Sequence, residues 1–151
     1  MSPRKLFTLF AFAEVVTWTL LLLGMFLKYV TQTTELGVRV FGLVHGFVFL
    51  TYVVVTIVVG VNQRWNRRTT LLGVLAAVPP YATIPFERHV KRHGFLEGGW
   101  QARDGAAPRT APERMVAWAV SNPAVAAGTA LVGVALVTGV LVWLGPPIPQ
   151  S

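Results

Sequence analysis

Apolar residues run almost without interruption from Leu6 to Leu27, 22 positions in which Glu14 is the one ionisable side chain. A second block extends from about Val40 to Val61, a third from Leu71 to Phe86 and a fourth from about Ala124 to Leu144. A helix of roughly 20 residues spans a bilayer core, so the first, second and fourth blocks are long enough to cross. The third has 16 residues and contains Pro79, Pro80 and Pro85. The linker TQTTELGVR between the first two blocks is short and predicts an antiparallel helical hairpin. Before the fourth block, PERMVAWAV (112–120) predicts an amphipathic interfacial turn, and Ser121-Asn122-Pro123 predicts a cap and restart. The stretch from Gly94 to Ala111, rich in Gly, Ala and Pro, reads as a polar loop. The expected fold is therefore all-α, a polytopic membrane bundle of four transmembrane helices. It divides into a three-helix core over 1–93, a loop and interfacial helix over 94–123, and a fourth membrane helix with a short tail over 124–151.

Composition agrees with this class. Of 151 residues, 54% are hydrophobic and only 13% charged, about half the usual globular share of charge. There is no cysteine, which excludes disulfides and thiol chemistry. Arginine-rich, Ala/Gly/Val-rich usage suits a GC-rich bacterium, and the expected location is its plasma membrane. The net charge of +7 does not point to nucleic acid, because the basic residues flank the apolar blocks. Arg64, Arg67, Arg68, Arg88, Lys91 and Arg92 are instead expected at lipid headgroups. The N-terminus resembles a signal peptide only superficially. Its apolar run is too long and Gly24-Met25-Phe26-Leu27-Lys28 offers no A-x-A site, so it is expected to be a retained first helix.

Topology has two readings. Arg4, Lys5, Arg64, Arg67 and Arg68 place the N-terminus and second loop in the cytoplasm. A spanning third segment then leaves six basic residues outside. A re-entrant third segment gives 11 basic residues inside against Lys28 and Arg39 outside. Charge favours three crossings, and hydrophobic length aided by snorkelling of Arg88 allows four. Four is the reading adopted, with both termini cytoplasmic.

Candidate chemistry lies on two polar stripes. Glu14, Thr17, Leu21, Gly24 and Lys28 share one face of the first helix, and Gly42, His45, Phe49, Tyr52 and Thr56 share one face of the second. The stripes should face each other, because lipid satisfies neither. Centring each apolar block on the membrane puts His45 about 12 Å from Glu14 along the axis, too far for direct contact. Pro79 and Pro80 free the carbonyls of Leu75 and Ala76 near the depth of Glu14. Glu14, as a neutral donor, is therefore expected to staple one of them, or Tyr52. By the same count Pro85 frees the Tyr81 carbonyl near His45. The functional alternative makes Glu14 and His45 two stations of a proton path. His89, His93 and Glu97 have helical spacing, but Lys91 and Arg92 between them argue for solvated side chains rather than zinc ligands. Trp18, Trp118 and Trp143 read as interface anchors. Gly24 and Gly42, and in the fourth helix Gly128 and Gly139 (four residues after Ala124 and Ala135), are expected to pack against other helices. No catalytic set, metal site or cofactor motif is visible.

Three stretches, AEVVTWTLLLLGMFLKYV, HGFVFLTYV and VPPYATIPFERHV, together resemble a family of small bacterial integral membrane proteins, domain-of-unknown-function family 3817. The resemblance covers about residues 5 to 93. It rests on Glu14, His45, Gly46, Tyr52, Pro85 and Phe86, and it implies a three-helix core in which Gly46 joins the packing glycines. Residues 94–151 resemble the C-terminal extension, with an added helix, of longer actinobacterial members. The resemblance brings no activity with it. The expected function is a non-enzymatic accessory or partner subunit of a larger bacterial membrane complex, with membrane lipids and other membrane subunits as partners and no nucleic acid. The alternative is a proton-linked carrier or channel, working as an oligomer through Glu14 and His45.

Overall fold

A computed structural model describes residues 1–101, 104–105 and 107–144. Among them the chain forms α1 (Pro3–Tyr29), α2 (Leu36–Asn62), α3 (Arg67–Leu75), α4 (Thr83–Arg92), α5 (Ala111–Ser121) and α6 (Pro123–Leu144), with no strand. Of these, α1, α2 and α6 are long and apolar enough to cross a membrane. The all-α membrane bundle holds; its third segment takes a different form from the one expected.

Three of the helices begin at a side-chain cap that satisfies a free N–H group. Ser2 caps α1 ahead of Pro3, Asn66 caps α3 through a 2.8 Å bond from Thr69 N–H, and Thr110 caps α5. Glu113 completes the start of α5 by accepting from Arg109 N–H at 2.8 Å. At the other end of α2, Arg64 adopts a left-handed φ of 53° and turns the chain towards α3.

The predicted Leu71–Phe86 helix is divided. α3 ends at Leu75, since Pro79 and Pro80 cannot donate to a continuing ladder and Pro79 disfavours helix at Val78 before it. Tyr81, with φ 65°, reverses the direction. Pro85 is tolerated because it falls in the first turn of α4, where an N–H would have no partner. It frees no carbonyl for His45, because Tyr81 O accepts from Ile84 N–H at 3.1 Å.

The two half-helices run in opposite directions along the same stretch of the bundle. The basal end is taken as the end where α1 starts and α2 finishes. α3 leaves it beside Gly60 and descends past Thr56. The turn reaches the level of Trp18, whose Nε1–H donates to Ala77 O at 3.2 Å. α4 then climbs back, with Thr83 donating to Ala11 O at 3.0 Å and Thr8 donating to Glu87 at 2.8 Å. At the basal end Trp65 Nε1–H, just before α3, donates to Phe95 O, just after α4, at 2.7 Å. The third segment is thus a helical hairpin that returns to its starting end, and three helices of the chain are long and apolar enough to cross a membrane.

The core fills the basal half. Phe7 packs against Tyr52, Trp65 and Phe86 with ring centroids 5.8, 5.8 and 6.1 Å apart. The 94–101 stretch closes this end instead of hanging free. Leu96 is buried in the core, Asn62 bonds Gly99 O and Gln101 N–H, and Trp100 donates to Met1 O. α5 and α6 pack on α2, and most of α6 is exposed.

Candidate functional site

The α1–α2 register is set by glycine. A Cβ on Gly24 would lie 2.7 Å from the carbonyl carbon of Gly37, so the two backbones touch. With Gly24 opposite Gly37, antiparallel pairing puts His45 about 3 Å from Glu14 along the axis. The 12 Å separation expected from centring the apolar blocks is not observed: Glu14 Oε2 lies 3.4 Å from His45 Nδ1. Block midpoints mislead because the backbone contact and the short loop fix the offset, and long side chains cover what remains.

Glu14 is fully buried and His45 nearly so. Thr17 joins them, with its hydroxyl 3.2 Å from Glu14 O and 3.1 Å from His45 Nδ1. A hydroxyl has one proton. Given to the Glu14 carbonyl, it leaves Thr17 to accept from Nδ1–H, and the Glu14 carboxyl group approaches the same nitrogen without a hydrogen bond of its own. Trp18 lies over the imidazole with ring centroids 4.5 Å apart, which locks its orientation. Neither carboxyl oxygen of Glu14 has a partner within hydrogen-bonding criteria. The proposed staple to Leu75, Ala76 or Tyr52 is therefore not made. Other side chains serve the hairpin: Tyr52 donates to Gly73 O at 3.1 Å, and Trp18, expected as an interface anchor, turns inward to Ala77 O.

The remaining sequence candidates distribute as follows. Thr17, His45 and Tyr52 are brought to the α1–α2 seam and buried, whereas Pro79, Pro80 and Pro85 are exposed and act by shaping the hairpin. Gly24 packs at backbone contact, and Gly42 meets Leu21 at 3.8 Å. Gly46, Gly128 and Gly139 have nothing within 4 Å, so they pack against no helix of this chain. Arg67, Arg68, Arg88 and Arg92 are exposed, while Arg64 faces Glu113 at 3.5 Å and Lys91 pairs with Glu87. His89 and His93 pack with tilted rings, centroids 4.2 Å apart, and His93 Nδ1 bonds His89 O.

Sequence reasoning missed Gly37, Gly60, Gly73 and the Thr8–Glu87–Lys91 cluster. Gly73 is where α3 squeezes between Thr56 and Phe86, both 2.8 Å from a Cβ placed there. An isolated Gly inside an apolar block was the available signal. Glu87, four residues before Lys91, was the signal for the ion pair.

These features define a polytopic helical membrane protein with a buried acid–imidazole contact beside a helical hairpin. The chain belongs to the DUF3817 family (domain of unknown function), whose model matches residues 4–92. It is also 50% identical over 93 residues to a protein of Streptomyces coelicolor whose name assigns it to the membrane. That match covers 61% of this chain but only 11% of the relative. No solved structure matches the chain.

Proposed function

We propose that the protein is a non-catalytic accessory subunit of a larger bacterial membrane assembly, held to it through the hairpin tip. The observation that carries this is an exposed irregular backbone level with the middle of α1, a helix long and apolar enough to cross a membrane. Val78, Pro79, Pro80 and Tyr81 are exposed at the level of Trp18 and Thr19, near the middle of α1. The carbonyls of Val78 and Pro80 accept no hydrogen bond among the described residues. Non-helical backbone at this depth persists only where protein or a water-filled cavity covers it. The fitting occupant is a membrane helix of a partner that presents a hydroxyl or amide donor to these carbonyls. A family module that makes up a small part of a much longer membrane-assigned relative agrees with attachment to a larger membrane protein.

Three crossings and the basic residues at the basal end support a cytoplasmic basal end in the plasma membrane. The end of α6 then lies on the outer side, in place of the cytoplasmic C-terminus expected from four crossings. The test is mild-detergent purification at native expression. Tyr81→Ala should lower recovery of the partner severalfold and leave the bundle folded. Truncation after Arg114, which removes the bare face of α6, should lower it less. Full recovery with Tyr81→Ala would rule the tip out, and a stable homo-oligomer with no other protein would identify the occupant as a second copy.

A proton-linked role is the second reading, favoured by the 3.4 Å Glu14–His45 contact inside the membrane. It predicts a proton flux in reconstituted vesicles that Glu14→Gln abolishes. The subunit reading predicts no flux from the protein alone.

A further inference from the structure

At the basal end, three arginines from three separate elements converge on one groove: Arg64 just past α2, Arg67 at the start of α3 and Arg109 just before α5. The groove encloses about 690 Å³, and Ile57, Val61 and Leu71 line it on the membrane side. Gly60 lets α3 approach α2 closely here, because a Cβ there would meet the side chains of Thr70 at 3.0 Å and Trp65 at 3.2 Å. Glu113 is the one acid in the lining; it lies 3.5 Å from Arg64 and accepts from Arg109 N–H. Arg67 and Arg109 form no ion pair among the described residues, so the groove keeps an excess of positive charge.

We propose that this groove binds one anionic glycerophospholipid. Its phosphodiester sits among Arg64, Arg67 and Arg109, and an acyl chain lies along Ile57, Val61 and Leu71. The match is one of charge and of depth. The arginines stand where α2 ends and α3 and α5 begin, at headgroup level, and the apolar lining continues from them along membrane-embedded residues. A free phosphate fits the arginines and leaves that apolar lining without an occupant. This goes beyond the subunit role and does not depend on it.

The experiment uses the full chain in detergent, titrated with phosphatidylglycerol or phosphatidylcholine and followed by native mass spectrometry. The expected result is a single saturable phosphatidylglycerol adduct with weaker phosphatidylcholine binding. Arg67→Gln/Arg109→Gln should weaken that adduct by about thirtyfold, on the basis of two headgroup-level cations. Arg68→Gln/Arg92→Gln, which removes the same charge outside the groove, should leave it nearly unchanged. Leu71→Trp fills the apolar lining while retaining every arginine; it should also reduce binding, and it serves if the double variant fails to fold. Equal loss in both double variants, no preference of the wild type for phosphatidylglycerol, or inorganic phosphate displacing the lipid at equal affinity would overturn the proposal.

Discussion

Glu14 could be read from sequence as a buried carboxyl group on the α1–α2 face, and His45 as lying on the facing stripe. Their contact could not, because it depends on helix offset, and that offset is set by two glycine backbones meeting near the far end of the hairpin. The pair and its Thr17 link should behave as one unit. Glu14→Gln keeps a polar group of the same shape beside His45 Nδ1 and should fold with little loss. Glu14→Leu should destabilise the bundle by about 1–2 kcal/mol, the scale of interhelical hydrogen bonds in membranes. A double-mutant cycle of Glu14→Leu with His45→Leu, read by thermal unfolding in detergent, should show coupling of at least about 0.5 kcal/mol. Additive losses would mean that the 3.4 Å approach contributes nothing. Trp18 was legible only as an aromatic residue; that it serves a carbonyl became visible once the hairpin placed Ala77 beside it. Trp18→Phe keeps the ring over His45 but leaves Ala77 O without its donor, and should lower stability by about 1 kcal/mol.

The elements were legible in proportion to their regularity. α1, α2 and α6 stand out from apolar length, and α5 from the amphipathic PERMVAWAV stretch and the Ser-Asn-Pro restart that follows it. The third segment differs from the expected single helix because a hydropathy count treats prolines as apolar residues, although two adjacent ones remove two donors and allow a reversal at Tyr81. Glycine spacing alone does not separate the tight positions from those with open space beside them. Gly24 and Gly73 sit at approaches that a methyl group would violate, and Gly46 does not. Gly24→Ala would meet backbone, so the α1–α2 hairpin must open, at about 2 kcal/mol. Gly73→Ala would meet the Phe86 ring and the Thr56 methyl group, with a similar loss. Gly46→Ala should be neutral. Thermal unfolding of the three variants side by side checks this ordering, and a loss at Gly46 equal to that at Gly24 would remove the register argument.

For the molecule as a whole, the returning third segment agrees with the charge tally rather than with hydrophobic length: if it does not span, 11 basic residues lie on one side against 2 on the other. Closure of the basal end by the 94–101 stretch was not legible. Leu96, Asn62 and Trp100 are scattered in sequence and meet only after α4 returns. The absence of native cysteine makes the crossing number directly measurable. Single cysteines at Thr33, Gly98, Ser121 and Leu144 can be labelled in intact cells with a membrane-impermeant thiol reagent, with permeabilised cells as the reference. Three crossings predict that Thr33→Cys and Leu144→Cys react from one side, and that Gly98→Cys and Ser121→Cys react only after permeabilisation. Reaction of Gly98→Cys and Ser121→Cys together with Thr33→Cys, and protection of Leu144→Cys, would show a spanning third segment and contradict the re-entrant hairpin.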